Sequence, residues 1–153
     1  MKKQILGVLL ALTLLLGCVT LSGTAFAAMG DTFTVDGITY KILSTDSIAV
    51  THSGTALGTY SGNITIPANV EYQGVAYNVT KIDSDAFAKC ANLAGINIPD
   101  SILDIGSYAF FNCTNLTDIN LPNSITTIQE SAFRGCSSLR SIIIPEHILS
   151  IQP

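Results

Sequence analysis

Three cysteines share one local frame. Cys90, Cys113 and Cys136 each close an Ala-Phe-x-x-Cys segment, and they recur at intervals of 23 residues. Cysteines so placed could do three kinds of chemistry: nucleophilic attack, disulfide formation or metal ligation. A nucleophile is not needed three times. No histidine recurs beside them either, since His52 and His147 are the only two in the chain. Side chains at equivalent repeat positions stack in parallel and do not converge on a point, which argues against a metal centre. Export to an oxidising compartment would permit a disulfide between neighbouring copies, with one thiol left over. The blandest chemistry is a structural column of small apolar plugs turned inward, because unpaired cysteine is among the most buried residue types.

Other chemistry-bearing residues are sparse. Asp83 and Asp85 lie just before Ala86, where carboxylates would cap a one-turn helix. The run Asp83-Ser84-Asp85 is not followed by the glycine and distal glutamate of a calcium loop. No nucleophile elbow, phosphate loop or metalloprotease motif occurs. The sequence therefore predicts a protein that is not an enzyme, with no catalytic residues, no cofactor and no bound metal.

The elements that carry the cysteines are repeats. From Ile82 the chain reads IDSDAFAKCANLAGINIPDSILD, from Ile105 IGSYAFFNCTNLTDINLPNSITT, and from Ile128 IQESAFRGCSSLRSIIIPEHILS; Ile151 opens a fourth copy. The shared pattern is I-x-x-x-A-F-x-x-C-x-x-L-x-x-I-x-(I/L)-P-x-x-I-x-x. Its I-x-(I/L) pair alternates with period two and predicts a very short strand, while S-x-A-F-x-x-C predicts a single helical turn. One copy cannot bury both its faces, so the copies must stack as a solenoid.

The spacing L-x-x-I-x-(I/L) resembles leucine-rich repeats. The A-F-x-x-C-x-x-L and I-P-x-x-I elements at a 23-residue period are similar to the BspA-like subclass of bacterial surface proteins. That resemblance implies an α/β solenoid: a right-handed coil with short strands on a concave face, one-turn helices or loops on the convex side, and a β-hairpin-rich N-terminal cap. It also implies adhesion or protein binding outside the cell.

Residues 1–27 read as a signal peptide: Lys2 and Lys3, an apolar run from Ile5 to Leu16, and Ala25-Phe26-Ala27 before the cut. A second reading is a lipoprotein box at Leu15-Leu16-Gly17-Cys18, with lipidation of Cys18 tethering the protein to a membrane. Residues 28–59 form a β-rich cap, with Asp36-Gly37 as a hairpin turn. Residues 60–81 form a degenerate first repeat with an inserted hairpin at Gln73-Gly74, and 82–153 hold three full repeats and the start of the fourth. Without Lys2 and Lys3, five basic residues face eleven acidic ones, a net charge of about −6, which argues against nucleic acid as partner.

Strand alternation sends Asn63, Thr65, Gly95, Asn97, Asp118, Asn120, Ser141 and Ile143 outward onto the concave face, a shallow polar floor for an extracellular protein or glycan. The expected protein is a secreted or cell-surface recognition module. The alternative is a structural spacer, or a fragment of a longer surface protein, without binding activity of its own. The apolar edge at Ile142 and Ile144 predicts self-association.

Overall fold

The computed structural model describes residues 27–148. Among the described residues ten strands form two sheets: β1 (Thr32–Val35), β2 (Ile38–Ile42), β3 (Ser47–Thr51), β4 (Gly62–Thr65), β5 (Asn69–Tyr72), β6 (Val75–Ile82), β7 (Leu93–Asn97), β8 (Asp104–Ile105), β9 (Asp118–Asn120) and β10 (Thr127–Ile128). β4, β7 and β9 make a parallel three-stranded sheet. The other sheet runs β1-β2-β3-β6-β8-β10, with β5 paired to β6. The front strands β4, β7 and β9 are thus each followed by a rear strand, β6, β8 and β10 in turn. Between them the Pro-x-x-Ile step turns the chain, the amide of Ile102 donating to the Pro99 carbonyl at 3.1 Å and that of Ile125 to Pro122 at 3.2 Å.

The core lies between the two ladders. Ile82, Phe87, Leu93, Ile96, Ile98 and Ile102 of one rung are buried, as are Ile105, Phe110, Leu116, Ile119, Leu121 and Ile125 of the next. The ring of Phe87 lies parallel to that of Phe110 at 5.2 Å, and Phe110 lies likewise on Phe133 at 5.2 Å. Tyr60 heads this column, 4.9 Å from Phe87. Such offset ring pairs add to the burial they bring.

Among the described residues the Ala-Phe-x-x-Cys segments contain no helix, so turns replace the expected one-turn helices and the fold there is all-β. The hydrogen bonds give the reason. The amides of Ala86, Ala88 and Cys90 each donate three residues back, to Asp83, Asp85 and Phe87. The alternate amides of Asp85, Phe87 and Lys89 donate instead to the carbonyls of Ser107, Ala109 and Phe111 in the next rung. Tyr108, Phe110 and Asn112 repeat this toward Glu130, Ala132 and Arg134. An α-helix would direct every amide along its own axis and leave none for the neighbour. Stacking therefore takes half of them. The geometry needs left-handed backbone at Asp85 and Lys89, Tyr108 and Asn112, Ser131 and Gly135. Asp85 consequently caps no helix.

The cap is joined to the rear ladder. β1 and β2 form an antiparallel hairpin across Asp36-Gly37, β2 pairs antiparallel with β3, and β3 pairs parallel with β6. β5 and β6 form a second hairpin across Gln73-Gly74.

Candidate functional site: the trough on the three-stranded sheet

Parallel register lines the outward residues of β4, β7 and β9 into two rows. Asn63 pairs with Gly95 and Gly95 with Asp118; Thr65 pairs with Asn97 and Asn97 with Asn120. The alternate residues Ile64, Ile96 and Ile119 turn toward the core. The rows, with Ala94 and Thr117, line a trough of about 450 Å³. Its floor is lowest at Gly95, where an added Cβ would come within 2.8 Å of the Asn63 Oδ1. Thr117 closes one end, its hydroxyl donating to the Ala94 carbonyl at 3.2 Å. Asp118 is the one charged residue in the lining, and among the described residues no Lys or Arg pairs with it. Amide, hydroxyl and carboxylate groups on a fixed backbone can hydrogen-bond a polar chain laid across the strands.

The structure brings together Asn63, Thr65, Asn97, Asp118 and Asn120. It does not bring in Ser141 and Ile143. Residues 141–144 form no strand, and among the described residues no backbone hydrogen bond joins them to β9. Without that ladder their side chains have no register with the trough, and Ile143 stands 79 % exposed. Ile142 and Ile144 are half-buried against the core.

The cysteines lie elsewhere, in the turns on the opposite side of each rung's Leu. Cys90 and Cys113 are buried, Cys136 is half-buried, and all three are free thiols. The Cys113 thiol donates to the Phe87 carbonyl at 3.0 Å and that of Cys136 to Phe110 at 3.1 Å. These two thiols each add a second bond to a carbonyl of the rung before, which already accepts that rung's cysteine amide. The neighbouring Cys136 thiol, followed by burial, pushes the Cys113 thiol up, and burial pushes Cys90 up. Among the described residues no cluster of His, Cys, Asp and Glu could hold a metal ion. His147 Nε2 lies 2.6 Å from the Ile125 carbonyl, and His52 is far from it in sequence. Cys18 and all but the last residue of the expected signal peptide, 1–27, lie outside the described residues, as does Ile151.

Two residues that the repeat pattern does not reveal hold the cap. The Tyr60 hydroxyl accepts the Thr39 amide at 3.0 Å and donates to the Thr51 carbonyl at 2.8 Å. Asp83 pairs with Lys41 at 2.7 Å and Lys81 at 3.7 Å. Burial opposes its charge, but the Lys41 bond and charge, the Ser84 amide and Lys81 outweigh it and hold the carboxyl below its usual range. The only sequence signals were an aromatic just before the first strand-proline segment, and an acid at the rung corner.

Short parallel strands repeated along a coil, one aliphatic row inside and one polar row outside, define a leucine-rich-repeat solenoid. A family model described as BspA type leucine rich repeat region (6 copies) matches residues 62–153, and the chain belongs to that family. The fold is similar to that of a leucine-rich repeat protein from Bacteroides ovatus, 34 % identical with a TM-score of 0.71, over 78 % of this chain and 31 % of that one. A leucine rich cell surface protein from Faecalibacterium prausnitzii is 28 % identical, with a TM-score of 0.60, over 79 % of this chain and 31 % of its own. A leucine-rich repeat protein from Bacteroides capillosus is 27 % identical, also at 0.60, over 79 % and 96 %. This chain thus spans about a third of the first two. No curated protein matches it. Proteins of this family are generally non-catalytic protein-interaction modules of bacterial surfaces.

Proposed function

We propose that the protein is a secreted or cell-surface recognition module that binds an extracellular protein or glycan across the trough on β4, β7 and β9. The observation that carries this is the register: six polar side chains from three rungs line one cavity without a single basic group. Rigid strands hold them, so little ordering entropy opposes a ligand on that face. Their spread over three rungs suits an elongated ligand. The test is a binding screen of the immobilised chain against matrix proteins and glycan arrays, run beside the double variant Asp118→Arg, Asn120→Arg. Both positions are exposed, so the variant folds. Binding should fall by about tenfold or more; equal binding by the variant removes this face as the binding surface.

A further inference from the structure

The cap hairpins extend the rear sheet and leave the front sheet's first strand open. Among the described residues β4 pairs with β7 alone. The Gly62 amide donates to the Asn92 carbonyl at 2.8 Å and the Ile66 amide, just past β4, to the Asn97 carbonyl at 3.0 Å, so Gly62, Ile64 and Ile66 are the residues whose backbone faces β7. Period-two alternation in a parallel ladder turns the amide and carbonyl of Asn63 and Thr65 the other way. There they face a slot of about 350 Å³ lined by Asp36, Gly37 and Ile38 of the first hairpin and by Thr59, Tyr60 and Ser61. Buried Ile38 and Tyr60 form its base. Asn63, Ile64 and Thr65 line both slot and trough, so the two are continuous.

We propose that this slot takes one extended segment of a partner protein, which adds as a strand to the free edge of β4 and sends its side chains over the trough. The inference rests on the recognition reading above and gives its mode. An open strand edge satisfies its amides by pairing with another strand. Two observations select a peptide bearing lysine or arginine. Asp36 at the slot and Asp118 in the trough are without ion-pair partners among the described residues, and no basic residue lines either cavity. The one aromatic there, Tyr60, is buried with its hydroxyl engaged, so no exposed ring offers a sugar a stacking surface.

The experiment pans a phage-displayed random dodecapeptide library on the full chain and measures the affinity of the recovered peptides as synthetic products. Thr65→Pro removes the one outward amide of that residue and no bond to β7, a substitution an edge strand accepts; Thr65→Ala removes only the side chain. Expected are strand-prone peptides with Lys or Arg that lose about tenfold more affinity on Thr65→Pro than on Thr65→Ala, since the alanine variant gives up the side chain and keeps the amide. Backbone N-methylation of the peptide, which leaves the protein untouched, should cost as much. Recovery of no peptide, or equal loss with Pro and Ala, overturns the proposal. A chain that dimerises alone and loses the dimer with Thr65→Pro assigns the slot to a second copy and overturns it too. If Asp118→Arg, Asn120→Arg abolishes ligand binding while Thr65→Pro does not, the trough stands and strand addition falls.

Discussion

Tyr60 makes a sharp test of how the cap is joined to the repeats. Thr39 and Thr51 face each other at the end of the β2–β3 ladder, and both are buried. The Tyr60 hydroxyl is inserted between them, accepting from one and donating to the other. Burial raises the phenol's pKa, only partly offset by the Thr39 amide, so the hydroxyl keeps its proton through neutral and mildly alkaline pH. Tyr60→Phe keeps the ring on Phe87 and removes only that bridge. One buried amide and one buried carbonyl then lose their partner, each at about 1–3 kcal/mol. The carbonyl end is the cheaper, so about 2–4 kcal/mol is expected in sum. With a urea slope of about 1–3 kcal/mol per molar, the midpoint should fall by roughly 1–2 M. Hydrogen exchange should show the Thr39 amide losing protection while Phe110 in the second rung keeps its own. A midpoint shift under about 0.3 M would show that β2 and β3 close on each other directly, and that the hydroxyl is not the joint.

The thiols should react in the order of their exposure. Iodoacetamide on the native chain should modify Cys136 first and reach Cys90 and Cys113 only after unfolding in guanidinium; ready native labelling of all three would refute the inward plug. Asp83 has a depressed folded pKa, so the stability it contributes is present above the ordinary value of 3.8 and disappears as pH falls through the lower folded value. The urea midpoint of wild type should therefore drop more between pH 5 and pH 3 than that of Asp83→Asn, by a modest amount since the Lys41 side chain is 39 % exposed. Parallel curves for the two proteins would exclude the carboxylate as the titrating group.

The repeat period, the strands at the first two I-x-(I/L) pairs and the apolar set facing inward were legible because each depends on the pattern of a single copy. Ile96 and Ile119 are placed by alternation alone, and Gln73-Gly74 and Asp36-Gly37 stand at turns because Gly74, Asp36 and Gly37 tolerate positive φ. The missing helices have a different origin. Ala86, Phe87 and Cys90 have helical spacing, yet the decision is made by carbonyls a full rung away, at Ser107, Ala109 and Phe111. A pattern three or four residues long contains no record of that competition. Lys89, Asn112 and Gly135 occupy one repeat position, all at positive φ, and only the last two are residue types that hint at it.

The candidate site divides along the same line. Asn63, Thr65, Asn97, Asp118 and Asn120 follow from strand parity, which any copy displays. Their assembly into a trough depends on β4 matching β7 despite a register shift between Gly62 and Asn63 and a longer connection through the β5–β6 hairpin. Ser141 and Ile143 have the same parity and the same motif, yet no ladder bonds reach them from β9. A strand in a solenoid is specified by its own sequence and completed by its neighbours. For that reason the first and last positions of the row, β4 with its free edge and 141–144 without a ladder, are where repeat arithmetic says least. The free edge of β4 has a wall opposite it, at Asp36 to Ile38, and open amides facing that wall. That arrangement is what a strand-adding ligand requires, and nothing in the repeat motif encodes it.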